Sequence, residues 1–271
     1  MSISVILVSY AARDRLRRCL DSLGPQVPDA LLEVIAVDNA SPDGSAALVR
    51  TQYPWVRLVE HPENRGFAAA VNAGARLAKG DAFLLLNPDT EVPPGAAEAM
   101  GRSLHEHPRA SAIGFRQQDV SGMLQLSSWF EPGLFTELLR HAAQARFDRG
   151  DRRIAGWIDR CITVPRRVAW VSGAVLLTPR AAFERVGGFD EEYFLYFEDI
   201  DYCQRVRVAG GEVWYDPTVT VLHHRGQSQA AARGLAERAY RESQIRFWRR
   251  HRRSSTRAIF ALYQRIRRLA S

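Results

Sequence analysis

Uninterrupted apolar runs that stop on a polar residue constrain this chain most: ISVILVS at residues 3–9, LEVIAVD at 32–38 and AFLLLN at 82–87. A strand without polar alternation is buried on both faces. WVRLVE at 55–60 also has strand character, and the intervening AARDRLRRCLDSL, DGSAALVRTQ and GFAAAVNAGARLA have helical spacing. This alternation predicts a parallel sheet covered by helices on both sides, with ligands gathering at the carboxyl ends of the strands. The residues closing those ends are Ser9 and Tyr10, then Asp38, then Asn87, Pro88 and Asp89. Asn, Pro and Asp are ordinary turn formers, but polar groups closing successive buried strands converge on one edge, as a ligand site requires.

With 271 residues and 46% hydrophobic content, the chain can bury the core of one large domain, or of a domain with an appendage. The formal charge of +7 is unevenly placed: from Arg241 to Arg268 ten arginines face the single acid Glu242, leaving the remainder close to neutral. Cys19, Cys161 and Cys203 show no CxxC spacing, which argues against a disulfide framework or a cysteine metal site and fits a reducing cytosolic setting. No window approaches a membrane span, and the first residues carry neither a basic leader nor a cleavage pattern. Any membrane contact is expected at the surface.

Residues 108–167 are less regular, with a strand expected at SAIGF, and read as a variable insertion or an acceptor-facing segment. VAWVSGAVLLT (168–178) predicts a strand and Pro179 opens a short helix. Another helix is predicted from near Glu198 to Gly210 and Gly211, and VTVLHH (219–224) predicts a strand. Glu198, Asp199 and Asp201 at that helix start can serve as caps and dipole partners. They also follow YFLYF, whose aromatic groups can exclude water and raise a carboxylate's pKa. Glu198 and Asp201 share a helical face while Asp199 points elsewhere. His223 and His224 face opposite sides of their strand, so one of them can join an acid such as Asp89 around manganese or magnesium. GxGxxG and P-loop spacings are lacking, which disfavours NAD and ATP, yet Arg65 and the helix start at Gly66 can meet a diphosphate.

Taken in order, VSY, VIAVDNASPDGS, NRGFAAAVNAG, LLLNPDTEV, VSGAVLLTPRAAFERVGGFDEEYFLYFEDIDYCQRVRVAGG and VLHHRGQS resemble the family 2 glycosyltransferases of GT-A fold. The likeness is greatest to bacterial rhamnosyltransferases that elongate cell-envelope glycans, and it covers about residues 3–228. It implies an α/β, Rossmann-like, mixed but mainly parallel sheet flanked by helices; the basic C-terminal helical tail lies beyond it. It divides the chain into a nucleotide-sugar half of about 1–115, an acceptor half of about 116–228 and a tail at 229–271. The implied reaction is an inverting transfer from a nucleotide diphosphate sugar. Asp38 matches the acid that reads the pyrimidine, with Ser9, Tyr10 and Asn39 lining the same pocket. Arg65, Gly66, Asn72, Asn87 and Gly173 match the donor-binding segments. Asp89 matches the last acid of the DXD motif and takes Mg2+ or Mn2+ together with His223 or His224. Asn87 replaces the first acid of that motif and leaves one fewer charge for the metal. Asp199 matches the catalytic base, with Glu198 beside it. The donor implied first is thymidine diphosphate rhamnose; glucose, galactose, N-acetylglucosamine and furanose donors remain alternatives.

The tail interleaves its arginines with Ile245, Phe247, Trp248, Ile259, Phe260, Leu262, Tyr263, Ile266 and Leu269. Such a pattern suits an anionic membrane surface, with an apolar stripe packed on the globule as the alternative. The first alternative would bring a cytoplasmic enzyme, peripheral on the inner face of the membrane, to a glycan or lipid-linked acceptor. No specific nucleic acid is expected. A noncatalytic binding protein of transferase fold, or one using its arginines on phosphates, would leave Asp38, Asp89 and Asp199 without a common role. A nucleotidyltransferase would release pyrophosphate rather than nucleoside diphosphate.

Overall fold

The computed structural model describes residues 1–27, 30–133, 135, 136, 139, 143, 145, 146, 151–224 and 230–252. Its elements run β1 (Ile3–Ser9), α1 (Arg13–Leu23), β2 (Glu33–Asp38), α2 (Ser45–Gln52), β3 (Val56–Glu60), α3 (Gly66–Leu77), β4 (Ala82–Leu86), β5 (Thr90–Glu91) and α4 (Ala96–Glu106). The second half adds β6 (Ala110–Gln118), β7 (Leu124–Gln125), β8 (Ser128–Trp129), α5 (Arg152–Cys161), β9 (Arg166–Arg167), β10 (Trp170–Val171) and β11 (Val175–Pro179). After these come α6 (Arg180–Arg185), α7 (Glu198–Val208), β12 (Glu212–His223) and α8 (Ala230–His251).

The main sheet has the order β3-β2-β1-β4-β11-β6-β12-β5. β1, β2, β3 and β4 are mutually parallel, β6 is parallel to β12, and β11 is antiparallel to both β4 and β6. The apolar runs dictate this, because alternate residues of one strand enter different cores. Val5, Leu7, Leu84 and Leu86 pack with Leu16 and Met100 on one face, while Ile6, Val8 and Leu85 pack with Val71 and Tyr202 on the other. The strand order reverses at β1, which opens a crevice at the ends of β1, β2 and β4.

Three expectations change. Residues 168–178 form two strands rather than one, because Ser172, Gly173 and Ala174 turn between β10 and β11. β12 begins at Glu212, well before VTVLHH. In the tail, Phe247 and Trp248 do not face outward: both are buried with Tyr193 and Phe197, so α8 turns its apolar stripe to the globule. The tail residues Arg253, Arg257, Ile259, Phe260, Leu262, Tyr263, Arg265, Ile266, Arg267, Arg268 and Leu269 lie outside the described residues, as do Arg225 to Ser228 of VLHHRGQS. Among the described residues no helix is long and apolar enough to cross a membrane.

Candidate active site

Register builds the first part of the site. Ser9 and Asp38 are paired neighbours at the ends of β1 and β2. Asp38 Oδ2 accepts from the Ser41 backbone N–H at 3.0 Å. Asp38 Oδ1 and Ser9 Oγ are both buried without a protein partner. Two such atoms side by side leave hydrogen-bonding capacity for a ligand, since buried polar atoms are seldom left unpaired. Tyr10, the next residue, is 51% exposed beside them. Asn39 serves instead as a clasp. Its Nδ2 donates to Asn64 Oδ1 at 2.8 Å and Gly66 O at 3.0 Å, while its Oδ1 accepts from Arg65 N at 3.1 Å and lies 3.1 Å from His61 Nδ1. This holds Arg65 and the start of α3 beside Asp38. The Arg65 guanidinium lies 3.6 Å from Glu191.

Gly66 is required where it stands. Its φ is +83°, and a Cβ there would lie 2.4 Å from Phe194 O. That close approach, with Phe67 N donating to Phe194 O at 2.8 Å, presses the segment before α7 against α3. Asn72 secures the same contact from within α3, donating to Phe189 O at 2.8 Å and Glu191 Oε1 at 3.1 Å and accepting from Phe189 N at 2.9 Å. These three bonds make Asn72 a positioning group; its amide donors are already engaged.

β5 and β12 bring the second part together by pairing Thr90 with His223. His223 Nε2 then lies 3.2 Å from Asp89 Oδ1, and its Nδ1 lies 2.9 Å from Gln117 Oε1. His224 points the other way, with Nε2 2.6 Å from Glu91 Oε1. The histidine that faces Asp89 is therefore His223. Burial alone would raise the Asp89 pKa, but the His223 hydrogen bond, its charge and that of Arg15 outweigh it and hold the group below the ordinary 3.8. With the amide oxygen of Gln117 accepting from Nδ1–H, Nε2 can meet a carboxylate only through a second proton or a cation.

The 3.2 Å gap suits a cation. Neighbouring ligands of an octahedral ion stand about 3 Å apart when each is about 2.1 Å from the metal. One carboxylate and one imidazole fit manganese or magnesium. Among the described residues no group of three His, Cys, Asp or Glu gathers, so the two donors would share the ion with oxygens from elsewhere. Asn87 forms the turn behind them, its carbonyl accepting from Thr90 N at 3.2 Å and Thr90 Oγ1 at 2.8 Å.

The turn that splits residues 168–178 supplies the third part. Gly173 N donates to Asp199 Oδ2 at 2.8 Å, and Ile200 N donates to Asp199 Oδ1 at 2.8 Å, so the half-buried carboxylate is fixed in orientation. Tyr196 and Phe197, both at φ +67°, make the sharp entry into α7. That conformation costs about 1 kcal/mol or more for each side-chain-bearing residue. Packing of Phe197 against Phe247 and Tyr240 offsets it.

Glu198 is only 5% exposed and its Oε2 has no partner. Burial first, then Asp199 and Asp201, push its pKa well above the ordinary 4.5. Glu198 is enclosed, whereas half-buried Asp199 is the carboxylate open to a ligand hydroxyl. Asp201 is a fastening, bound to Arg205 and His251. Because Glu198 is harder to ionise when folded, its contribution to stability is lost as pH rises above about 4.5, where the unfolded chain releases the proton first. Glu198→Gln removes that ionisation, so its thermal midpoint relative to the parent should rise between pH 5 and pH 8. A gap that stays constant would mean Glu198 ionises normally in the fold.

Gln117 is a site residue that sequence reasoning missed. It comes second after the apolar run of β6, behind Arg116, so a reading that stops at the first polar residue passes over it.

A sheet of this order, with acids at the strand ends and a later acid at a helix start, is the GT-A arrangement of glycosyltransferases. The family model described as glycosyl transferase family 2 matches residues 4–152. An N-acetylglucosaminyl-diphospho-decaprenol L-rhamnosyltransferase of Mycobacterium tuberculosis is 34% identical over 235 residues, covering 83% of this chain and 76% of that protein. Among solved structures, a mannosyltransferase of Pyrobaculum calidifontis in complex with GDP-Man and Mn2+ superposes with a TM-score of 0.62 at 21% identity over 93% of this chain. GalNAc-T7 with UDP, GalNAc and Mn2+ gives 0.60 at 16% identity over 83%. This chain spans 65% and 44% of those two proteins' own lengths. The chain belongs to glycosyl transferase family 2.

Proposed function

We propose that the protein is an inverting rhamnosyltransferase. It would move L-rhamnose from thymidine diphosphate rhamnose to a hydroxyl of a lipid-linked cell-envelope glycan, the acceptor being an N-acetylglucosaminyl diphosphate polyprenol. The observation that carries the reaction type is the turn at residues 172–174: its Gly173 N–H fixes Asp199 while its Ala174 O accepts from Asn87 N at 2.9 Å, two residues before the Asp89 that faces His223. The choice of rhamnose and of a polyprenyl diphosphate acceptor rests on the mycobacterial relative.

In this reading Asp38 Oδ1 accepts the imide N–H of the pyrimidine, Ser9 Oγ completes that pocket and Tyr10 flanks it. Arg65 and the amides opening α3 face the diphosphate. Asp89 and His223 hold Mg2+ or Mn2+, which when bound offsets charge developing on the diphosphate. Asp199 takes the proton from the acceptor hydroxyl as its oxygen forms the new bond to the anomeric carbon. The bond from that carbon to the diphosphate breaks on the opposite face, and nucleoside diphosphate leaves. One base therefore suffices, with no covalent intermediate. The division into a donor half at 1–115, an acceptor half at 116–228 and a basic tail at 229–271 belongs to the same proposal, as does a cytoplasmic place on the inner membrane face.

Calorimetric titration with nucleotide sugars, with manganese and with chelator, tests this. Thymidine diphosphate rhamnose should bind most tightly and only with metal, and Asp89→Ala should remove the metal dependence. Preference for another nucleotide sugar would replace rhamnose, and no binding by any would refute the transferase reading. Metal dependence unchanged in Asp89→Ala would take that residue out of the metal site.

A further inference from the structure

A second concavity lies away from the strand tips. It is a cavity of about 510 Å³ between β7, β8 and α5, within the roughly 300–1,000 Å³ range of small-ligand sites. Its floor is apolar, formed by Leu124 and Ile158 with Leu126 and Ile162 packed against them. Phe130 and Trp157 stand at its mouth, 65% and 61% exposed. Large aromatics left in water beside an apolar cavity mark a contact surface.

The charges around it are specific. Arg167 is paired with Glu212 at 2.9 Å and Arg207 with Glu131 at 3.0 Å, while exposed Arg166 makes no ion pair among the described residues. Glu212 and Glu131 are each shared with a second arginine, Arg109 and Arg252, so positive charge is in excess at this rim. An apolar hollow rimmed by aromatics and arginines complements a molecule that is greasy along its length and anionic at one end.

The wall of this cavity is shared with the site. Gln125 Nε2 donates to His223 O at 2.7 Å, and Ser127 O accepts from Ser172 N at 2.7 Å, one residue before the glycine that holds Asp199. The cavity wall therefore runs, through Ser127 and Ser172, to the turn that carries the base.

We infer that this cavity binds the first isoprene units of the lipid-linked acceptor, with Arg166 on its diphosphate. The inference rests on the polyprenyl diphosphate acceptor proposed above. It assigns the membrane-facing surface to β9, α5 and Phe130. The apolar stripe of α8 is already occupied by Tyr193 and Phe197.

The test uses the full chain and two soluble probes, N-acetylglucosamine diphosphate carrying either a farnesyl or a methyl group, titrated by calorimetry. The farnesyl probe should bind at least about tenfold more tightly, the scale expected for burying a few branched carbons. A Phe130→Ala, Trp157→Ala double variant, altered only at exposed positions, should lose that preference while binding the methyl probe and the nucleotide sugar as before. Arg166→Ala should weaken both probes several-fold. Equal binding of both probes to the parent protein would overturn the cavity assignment and leave the acceptor reading standing. Failure of both probes to bind would remove the acceptor reading and the cavity assignment with it. A farnesyl preference that persists in the double variant would place the chain elsewhere.

Discussion

Asp199→Asn should lower the turnover of sugar transfer by roughly a thousandfold, within the span that positioned acid–base groups supply. Donor affinity measured by calorimetry should change little. The Asp199 carboxylate accepts one backbone N–H on each oxygen, from Gly173 and from Ile200. An amide can accept on its oxygen but presents N–H groups to the other donor, so one of the two bonds is lost along with the basic oxygen. The donor contacts proposed for Ser9, Asp38 and Arg65 lie at the ends of β1 and β2 and just before α3, and do not involve this carboxylate. A fall in donor affinity matching the fall in turnover would assign Asp199 to binding. Turnover within a few-fold of the parent would require another base, and buried Glu198 could serve only if the loop before α7 opened.

The strand tips were legible because backbone register needs no side-chain detail: a doubly buried strand must be apolar, so its first polar residue marks the sheet edge. Ser9, Asp38 and Asn87 follow directly, with Asp89 two residues beyond. Sequence could narrow the two histidines to opposite faces, but only the pairing of β5 with β12 decides which face meets Asp89. The break at Ser172 to Ala174 was hidden because an apolar run with one glycine reads the same as a continuous strand or two short ones. Asn39 follows the tip of β2 and Asn72 lies within α3, and their amides hold neighbouring segments, a use that composition does not distinguish from ligand binding. The same ambiguity affects α8. An apolar stripe with arginines beside it looks identical whether lipid or protein covers it, and here Tyr193 and Phe197 cover Phe247 and Trp248.

That covering makes Asp201→Ala the substitution expected to cost most stability. Asp201 is fully buried, with Oδ2 2.6 Å from Arg205 Nε and Oδ1 2.7 Å from His251 Nε2. Arg205 in turn donates to Val186 O at 2.6 Å and Gly188 O at 2.8 Å, so one carboxylate ties α7 both to the end of α8 and to the turn after α6. α8 also grips the loop before α7 through Ser243 Oγ on Leu195 O at 2.9 Å and through ion pairs of Arg246 with Glu192 and Arg250 with Asp190. Those two pairs are partly exposed and contribute little. Breaking a buried pair by removing one partner costs about 3–5 kcal/mol, because the remaining charge, here on Arg205, stays largely buried without its partner. In a chain of this size that is a fall of roughly 10 °C in thermal midpoint. Burial would raise the Asp201 pKa, but the His251 hydrogen bond and the Arg205 charge and hydrogen bond hold it below 3.8. A carboxyl lowered in the fold contributes stability above its unfolded pKa and loses it as pH falls through the folded value. The gap between parent and variant should therefore be full at pH 7 and narrow only below about pH 4, as read by urea unfolding. The entry to α7 depends on Phe197 staying against Phe247, so the variant should also lose transfer activity before it loses its sheet. Unchanged stability at neutral pH would mean that α8 is fastened mainly by Phe247 and Trp248, and that the buried charges serve only to fix its register.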